Sequence, residues 1–397
     1  MEDTLPWDTA AHLPWQGFMN PTDQWQVMPS FLIGEYVVIA CAVAALVHAL
    51  QKGRGHLLIW LAALIAGTAN DMIFMALPLV DNFWQGQATI MITPRLPLYI
   101  PCMYVVFMYY PTVAVRRLGL PRWSAAALTG LLACMFYAPY DIVGAKFLWW
   151  TWHDTDAPTA ARILGAPVGS SLWVLTFVGA FSYLLDRVLR GSDQITARTF
   201  LKGFTLVAGL STLLMMVQIT ALQQLDGGAP GYLAFGSGLA IYAFVAARGR
   251  KHASPTPLAA DPLGSAMPAL YLLMLVVVMA VFDPATHVSA GLHQPPGPCY
   301  VETTDITGVT RHKYLCARDF DEDYSFACAT APADGAEWYT ICGQAHTSFP
   351  AWMGGVAGLG TVGMLGFLYL FGLLARGRAA EVQPTPDKHA ASSTPNA

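Results

Sequence analysis

Long apolar segments, separated by short basic loops, are the feature that most restricts the fold of this 397-residue chain. A helix needs about 20 predominantly apolar residues to cross a lipid bilayer. Segments of about that length lie near residues 30–50, 57–80, 96–115, 123–150, 163–185, 203–224, 231–247, 267–283 and 353–375. The sequence therefore predicts an all-α, polytopic membrane helix bundle with about nine transmembrane helices.

The composition supports this prediction. Hydrophobic residues make up 55% of the chain and charged residues only 12%, whereas a typical soluble domain is about 25% charged. So few charges cannot coat a soluble protein of this size. The net charge of −4 also argues against a nucleic-acid partner, because such proteins carry a basic surface. We expect the lipid bilayer to be the main environment of the chain.

Basic residues alternate between the loops and predict the orientation. They follow the first, third, fifth, seventh and ninth segments, for example at Lys52, Arg116 and Arg248. Loops rich in Lys and Arg stay in the cytoplasm, so we expect the N-terminus outside and the C-terminus inside. Residues 1–29 lack a basic n-region and predict an outer tail without a cleavable signal peptide. His48 is expected at the solvated cytoplasmic edge.

One long polar loop, near residues 284–352, contains four of the seven cysteines: Cys299, Cys316, Cys328 and Cys342. Four cysteines in a compact loop predict two disulfides, with three possible connectivities. Disulfides persist outside the cytosol, which agrees with the orientation that the basic residues predict. A zinc site is less favoured, because the spacing contains no C-x-x-C pair.

The segments suggest a division of the chain. Residues 30–247 would form a seven-helix membrane core, and a cytoplasmic linker would follow at 248–266. Residues 267–378 would form a two-helix C-terminal unit that carries the cysteine-rich loop. The last part of the chain, 379–397, is rich in Ala, Pro, Ser and Thr and is expected to be disordered.

Two acidic residues, Asp71 and Asp141, lie inside apolar segments and are 70 residues apart. Each is followed 26 residues later by a proline, Pro97 or Pro167. This match predicts a parallel two-helix repeat, 57–115 and 123–185. An ionisable side chain within a membrane is costly and commonly marks a functional site. We therefore expect both acids to face one cavity that opens toward the outer leaflet.

Polar and aromatic residues near these acids complete the predicted site. The catalytic candidates are Asp71, Asp141, Asn70, Tyr140, His153 and Asp154. The substrate-binding candidates are Trp149, Trp150, Trp152, Trp173, Pro97, Pro167 and Glu35. Structural roles remain open, because an acid can bond a neighbouring helix and tryptophans can anchor a helix at the membrane interface. No metal-ligand pattern and no cofactor-binding motif is present.

A carboxyl group in an apolar pocket can act as a general acid, and aromatic faces stabilise a nearby cation. This combination predicts acid-initiated cyclisation, isomerisation or hydration of an isoprenoid or another lipid-soluble molecule. The same residues could instead relay protons in a proton-coupled or lipid transporter. A third alternative is a non-catalytic membrane receptor or scaffold in which the outer loop, residues 284–352, is the functional part.

The segments "YDIVGAKFLWWTWHDTDAP" and "GAPVGSSLW" resemble the membrane-embedded carotenoid-biosynthesis family. That family includes the carotenoid hydratases and is related to the small membrane lycopene cyclases. The matching residues are Asp141, Trp150, Trp152, Gly165, Ala166, Pro167, Ser170 or Ser171, and Trp173. The resemblance covers residues 70–173, whereas the cysteine-rich loop and the last two segments have no counterpart. It implies a helical bundle that acts on isoprenoid double bonds without a redox cofactor.

Overall fold

The computed structural model describes residues 15–76, 83–152, 156–190, 196–253, 259–304, 308–315, 324–329 and 332–374. Helices dominate these residues. They are α1 (Pro21–Val27), α2 (Pro29–Lys52), α3 (Arg54–Ala76), α4 (Tyr99–Arg116), α5 (Arg122–Lys146), α6 (Ala157–Ala160), α7 (Val168–Arg190), α8 (Ala197–Leu222), α9 (Tyr232–Arg248), α10 (Pro262–Val281) and α11 (Phe349–Leu370).

Short strands connect or cover the helices. They are β1 (Phe83–Gln85), β2 (Met91–Thr93), β3 (Leu96–Pro97), β4 (Trp150–Trp152), β5 (Arg162–Ile163), β6 (Ala166–Pro167), β7 (Val288–Leu292), β8 (Glu302–Thr304), β9 (Thr310–His312), β10 (Tyr324–Ser325) and β11 (Trp338–Gly343). Every pairing among them is antiparallel. The strands therefore form small hairpins and one three-stranded sheet rather than an extended layer.

Eight helices within the described residues are long and apolar enough to cross a membrane: α2, α3, α5, α7, α8, α9, α10 and α11. The remaining predicted segment is also helical and forms α4. This helix contains four tyrosines and two prolines in 18 residues, which lowers its hydropathy. It packs against α2, α3 and α5, and almost all of its residues are buried. Its polar groups therefore face protein.

The chain reverses sharply between the first two long helices. Gly53 separates α2 from α3 and has a φ of 97°. An L-residue with a side chain rarely adopts this backbone angle, whereas glycine does so without steric cost. The glycine therefore allows two antiparallel helices to be joined by a single residue.

Corresponding elements recur along the two predicted halves. In the first, α3 is followed by the β2–β3 hairpin and α4; in the second, α5 is followed by the β5–β6 hairpin and α7. The strands β3 and β6 begin at residues 96 and 166 and are thus 70 residues apart. The strands that follow the first helix of each half, β1 and β4, pair with each other, with Phe83 opposite Trp152.

The aromatic segment after Asp141 differs from the expectation. Helix α5 ends at Lys146 rather than near residue 150, because Leu148 adopts a left-handed backbone (φ 58°) and the chain then enters β4. Trp149, Trp150 and Trp152 are at most 8% exposed. They therefore do not form a lipid-facing interfacial belt. Strand β4 instead pairs with β1. This pairing satisfies the backbone hydrogen-bonding groups of the aromatic segment.

The outer loop forms a three-stranded sheet in the order β10–β11–β7. A disulfide joins Cys328 to Cys342, with Cα atoms 5.7 Å apart, as predicted for this loop. Cys299 is also disulfide-bonded, whereas Cys316 lies outside the described residues.

The sheet is attached to the helical part by hydrogen bonds and an ion pair. The backbone N–H of Gln87 donates to the carbonyl oxygen of Ala290 (2.7 Å). Arg311 Nε lies 3.0 Å from the Asp156 carboxylate, and both side chains are buried. Asp156 is therefore a structural acid at the junction of the loop and the helices, and the loop packs down on the connections of both halves.

The last two described helices pack against the preceding ones. Helix α10 contacts α2, α4 and α5, and α11 contacts α10 and α5. The expected C-terminal unit is therefore joined to the others by extensive helix packing. Residues 1–14 of the expected outer tail and all of the expected disordered tail, 379–397, lie outside the described residues.

A polar cluster fastens α10 to α2 at the end that we expect to be cytoplasmic. His48, expected to be solvated, is instead fully buried. It bonds the Tyr109 hydroxyl at 2.7 Å and the Asp261 carboxylate at 3.0 Å. Burial alone would raise the pKa of Asp261, but hydrogen bonds from His48, Lys52 and the Gly264 backbone hold this pKa well below its usual range. A charged, partnered Asp261 thus caps α10.

Candidate functional site

Five long helices and the short helix α6 line a cavity of about 260 Å³. The walls come from α3, α4, α5, α7 and α8, and the strands β1 and β4 close one end. The two predicted halves therefore meet at this cavity, because α3 and α4 belong to the first and α5 and α7 to the second. Helix α8 completes the wall by packing against α3 and α7.

Aromatic side chains are the largest group on the wall. They are Phe74, Phe83, Tyr104, Phe107, Tyr137, Tyr140, Trp150, Trp152 and Trp173. The rings support one another: Tyr104 packs edge-on against Trp173 (centroids 5.8 Å apart), and Tyr140 packs against Trp150 (4.8 Å). Such contacts fix ring orientation, so the cavity presents a rigid aromatic surface to whatever occupies it.

The α8 side of the cavity is lined by flexible aliphatic side chains. Met215, Met216 and Ile219 line it. Methionine is unbranched and polarisable, so it adapts to irregular ligand shapes. The opposite face of α8 bears exposed apolar residues, among them Leu213 and Val217. Helix α8 is therefore a single layer between the cavity and the surroundings of the bundle.

Asp71 on α3 provides the carboxyl group of the wall. It is 6% exposed, and its Oδ1 accepts a hydrogen bond from the Tyr104 hydroxyl (3.1 Å). The bond joins α3 to α4 across the first half. Tyr104 holds the carboxyl in place and leaves it on the cavity surface, which is the position that a proton donor to a bound molecule requires.

Other polar groups lie on the same wall. The Asn70 amide nitrogen donates to Thr212 Oγ1 on α8 (2.9 Å), and its Oδ1 has no hydrogen-bond partner within the described residues. Gln85 accepts a hydrogen bond from the Tyr99 hydroxyl (2.6 Å). The polar groups are few and stand among aromatic rings, which is typical of a site for a largely apolar small molecule.

Asp141 does not line the cavity, although Asp71 does. It is completely buried, and its polar neighbours are the hydroxyl groups of Ser170 and Tyr137. Both of these residues line the cavity, so Asp141 lies one side chain behind the wall. The two acids therefore differ in access to the cavity.

The structure brings together seven of the predicted residues on the cavity wall. These are Asn70, Asp71, Tyr140, Trp150, Trp152, Pro167 and Trp173. They come from both halves of the chain and were predicted from the surroundings of the two acids.

Other predicted residues lie elsewhere. Trp149 stacks on Phe31 and donates its indole N–H to Ser30 (3.0 Å). Glu35 accepts hydrogen bonds from backbone N–H groups of residues 89 and 90. Pro97 is buried in β3, away from the cavity. His153 and Asp154 lie outside the described residues.

Sequence reasoning missed Tyr104, Gln85 and the methionines of α8. A signal for Tyr104 was available, because tyrosines that interrupt an apolar segment need partners in the protein interior. Gln85 had no comparable signal, because its place on the wall depends on the pairing of β1 with β4. Among the described residues, no three His, Cys, Asp or Glu side chains are grouped so as to hold a metal ion.

The fold and the site define a class of protein: a helical bundle whose described residues include eight helices that could cross a membrane, with an aromatic cavity that carries a carboxyl group. The chain belongs to the family described as domain of unknown function DUF7802, which matches residues 15–353. The match includes both predicted halves, the outer loop and the start of α11. No curated protein and no solved structure matches the chain.

Proposed function

We propose that this is a multi-pass membrane protein that acts on an isoprenoid or another lipid-soluble, unsaturated molecule by acid–base chemistry. The observation that carries the proposal is the carboxyl group of Asp71 on the wall of an aromatic cavity. The resemblance of residues 70–173 to the carotenoid-biosynthesis family supports the same class of substrate. The reaction is a cyclisation, an isomerisation or a hydration.

The size of the cavity limits how much of the substrate it encloses. A cavity of about 150 Å³ binds one benzene molecule, so about 260 Å³ holds on the order of ten carbon atoms. A longer molecule would place its reacting end among the aromatic rings and leave the rest outside. Entry from the bilayer would pass beside α8, which separates the cavity from the surroundings by one helix.

In this proposal Asp71 acts as the general acid. Its carboxyl proton adds to one carbon of a double bond, whose π electrons form the new C–H bond. The other carbon becomes a cation, which the faces of Tyr104, Phe107 and Trp173 stabilise. Loss of a proton from a neighbouring carbon gives an isomer. Attack by a second double bond, followed by loss of a proton, gives a ring; in both cases no atom or electron is gained.

Asp141 has a supporting role in the proposal. It lies behind Ser170 and Tyr137, so these hydroxyl groups would connect it to the cavity. Asp141 would take up the proton that the cation releases and exchange protons with Asp71 between turnovers.

The test is to identify what the cavity holds and whether it is converted. The full chain, purified in lipid nanodiscs, is extracted with organic solvent and analysed by mass spectrometry. We expect an unsaturated apolar molecule, together with a product of equal mass or of that mass plus one water. A molecule that binds but is recovered unchanged after prolonged incubation would favour transport. A preparation without any bound apolar molecule would contradict the proposal.

A further inference from the structure

We infer that Asn70 recognises a hydroxyl group, so that the ligand is an isoprenoid-like alcohol rather than a pure hydrocarbon. This inference rests on the proposed function, since it names the class of molecule that enters the same cavity. The hydrogen-bond network around Asn70 carries it.

The orientation of the Asn70 amide follows from its neighbour on α8. Thr212 has one hydroxyl hydrogen and donates it to the carbonyl oxygen of Ala208 (3.3 Å). Its oxygen can therefore only accept from Asn70, which requires the amide nitrogen on that side (2.9 Å). An asparagine orientation is assigned through such networks. The Thr212 contact thus makes Oδ1 the remaining, hydrogen-bond-accepting end of the side chain.

This accepting end is left without a partner. Asn70 is completely buried, it lines the cavity, and Oδ1 has no hydrogen-bond donor within the described residues. A buried carbonyl oxygen without a donor is costly, so native proteins rarely leave one unsatisfied. The nitrogen end is bonded to Thr212 on α8, so a donor for the oxygen end would have to come from the cavity that Asn70 lines.

The chemistry of the surroundings selects the donor. An amide oxygen accepts a hydrogen bond and cannot donate one, so the ligand must supply an O–H or N–H group. Most of the other lining residues are aromatic or aliphatic, and none of them is basic, which disfavours a strongly solvated charged group. A neutral hydroxyl on an apolar skeleton satisfies Asn70 with the least polar surface. A site built to bond a hydroxyl discriminates against the analogue that lacks it.

The test compares two ten-carbon probes, geraniol and the diene hydrocarbon with the same carbon skeleton. The full chain in lipid nanodiscs is titrated with each probe, and the quenching of tryptophan fluorescence is corrected with empty nanodiscs. Concentrations are expressed in the lipid phase, because the probes partition differently. We expect the wild type to bind geraniol about fivefold more tightly than the hydrocarbon, as for one net hydrogen bond.

Two variants decide whether Asn70 is responsible. Asn70→Leu should reduce the preference to about one, through weaker geraniol binding, while hydrocarbon binding stays within about twofold. Asn70→Asp keeps an accepting oxygen and should retain the preference. Hydrocarbon binding also reports folding: if Asn70→Leu does not bind the hydrocarbon, Asn70→Ala replaces it with the same expected ratio.

The outcomes separate this inference from the proposed function. Equal affinities in the wild type, as expected if water alone satisfies Asn70, would overturn the hydroxyl recognition and leave the apolar site intact. A preference that persists in Asn70→Leu and Asn70→Ala would also overturn it. Failure of both probes to bind the wild type would reject both proposals.

Discussion

Asp71 and Glu35 are both buried carboxyl groups, yet their surroundings differ. Glu35 accepts hydrogen bonds from two backbone N–H groups, of Thr89 at 3.0 Å and Ile90 at 3.3 Å, and it does not line the cavity. Asp71 accepts a side-chain hydrogen bond and is part of the wall. Glu35 therefore fixes a connection to α2, whereas Asp71 is available to a bound molecule. The pair provides a matched comparison of an acid that bonds backbone groups and an acid that lines the cavity.

The comparison gives a prediction for the exchange of each acid for its amide. Asp71→Asn can still accept the Tyr104 hydrogen bond, so folding should be preserved. It cannot donate a proton as an acid, and turnover should fall by about 10²-fold or more. Glu35→Gln should keep activity per molecule near normal but lower the free energy of unfolding by about 1–3 kcal/mol, because the amide NH₂ cannot accept a backbone hydrogen bond.

Both variants are purified in the same way and compared in thermal unfolding and in conversion of the co-purified molecule. The reverse pattern, with normal turnover in Asp71→Asn, would show that the cavity acid is structural. It would end the acid-catalysis proposal without affecting the assignment of the cavity as a binding site.

At the scale of the elements, the outer sheet is packed over the connections between helices. Strand β7 contacts β1, and His293, just after β7, lies 3.4 Å from the hydroxyl of Thr151 in β4. Its ring packs against Tyr339 of β11 (centroids 4.7 Å apart). The sheet therefore packs over the two strands, β1 and β4, that contribute residues to the cavity wall.

Histidines in the loop make this cover sensitive to acid. Burial lowers the pKa of His293 to about 3 and that of His287 to about 4. Between these values and the unfolded pKa of about 6.5, only the unfolded loop binds the protons, so stability falls as the pH falls. At pH 4.5 the loss for His293 is about 2–3 kcal/mol relative to pH 7.5. Below about pH 3 it no longer increases.

Hydrogen exchange of the β7 and β11 amides, corrected for the intrinsic pH dependence, measures this effect. Opening of the sheet should be markedly easier at pH 4.5 than at pH 7.5 in the wild type. The His293→Gln variant cannot titrate at this position and should lose about half of that difference, with His287 supplying the other half. An unchanged pH dependence in His293→Gln would contradict the assignment.

For the whole molecule, the arrangement of basic residues and the position of the outer sheet predict one orientation. Lys and Arg stand at the C-terminal ends of α2, α4 and α9, whereas the loop between α10 and α11 carries the Cys328–Cys342 disulfide. Basic loops are retained in the cytoplasm and disulfides persist outside it. Both therefore favour the outer sheet on the non-cytoplasmic side.

Cysteine labelling in intact cells tests this orientation. Ala285→Cys and Lys251→Cys introduce thiols at exposed positions on opposite sides of α10. A membrane-impermeant maleimide should label Ala285→Cys before lysis and Lys251→Cys only after permeabilisation. The native chain serves as the background control, because its free cysteines Cys41 and Cys134 are buried and Cys102 is half-buried. Labelling of Lys251→Cys in intact cells would invert or reject the predicted topology.

The sequence by itself determined the helical class and the approximate position of every long helix. The reason is local: an apolar segment of sufficient length can satisfy its backbone hydrogen bonds in an apolar environment only as a helix or within a closed barrel. It also indicated the two acids, since a charge in such a segment stands out without knowledge of its neighbours. The disulfide between Cys328 and Cys342 was predicted only as one of several pairings.

The tertiary structure decided which acid reaches the cavity and which residues accompany it. The depth of Asp71 and Asp141 along their helices follows from the number of residues. The direction in which each side chain points depends on how its helix is rotated against the neighbouring helices. The positions of Trp150 and Gln85 on the wall depend on the pairing of β1 with β4, between segments more than 60 residues apart. Such long-range contacts have no signature in either segment alone, because each is stabilised only by the other.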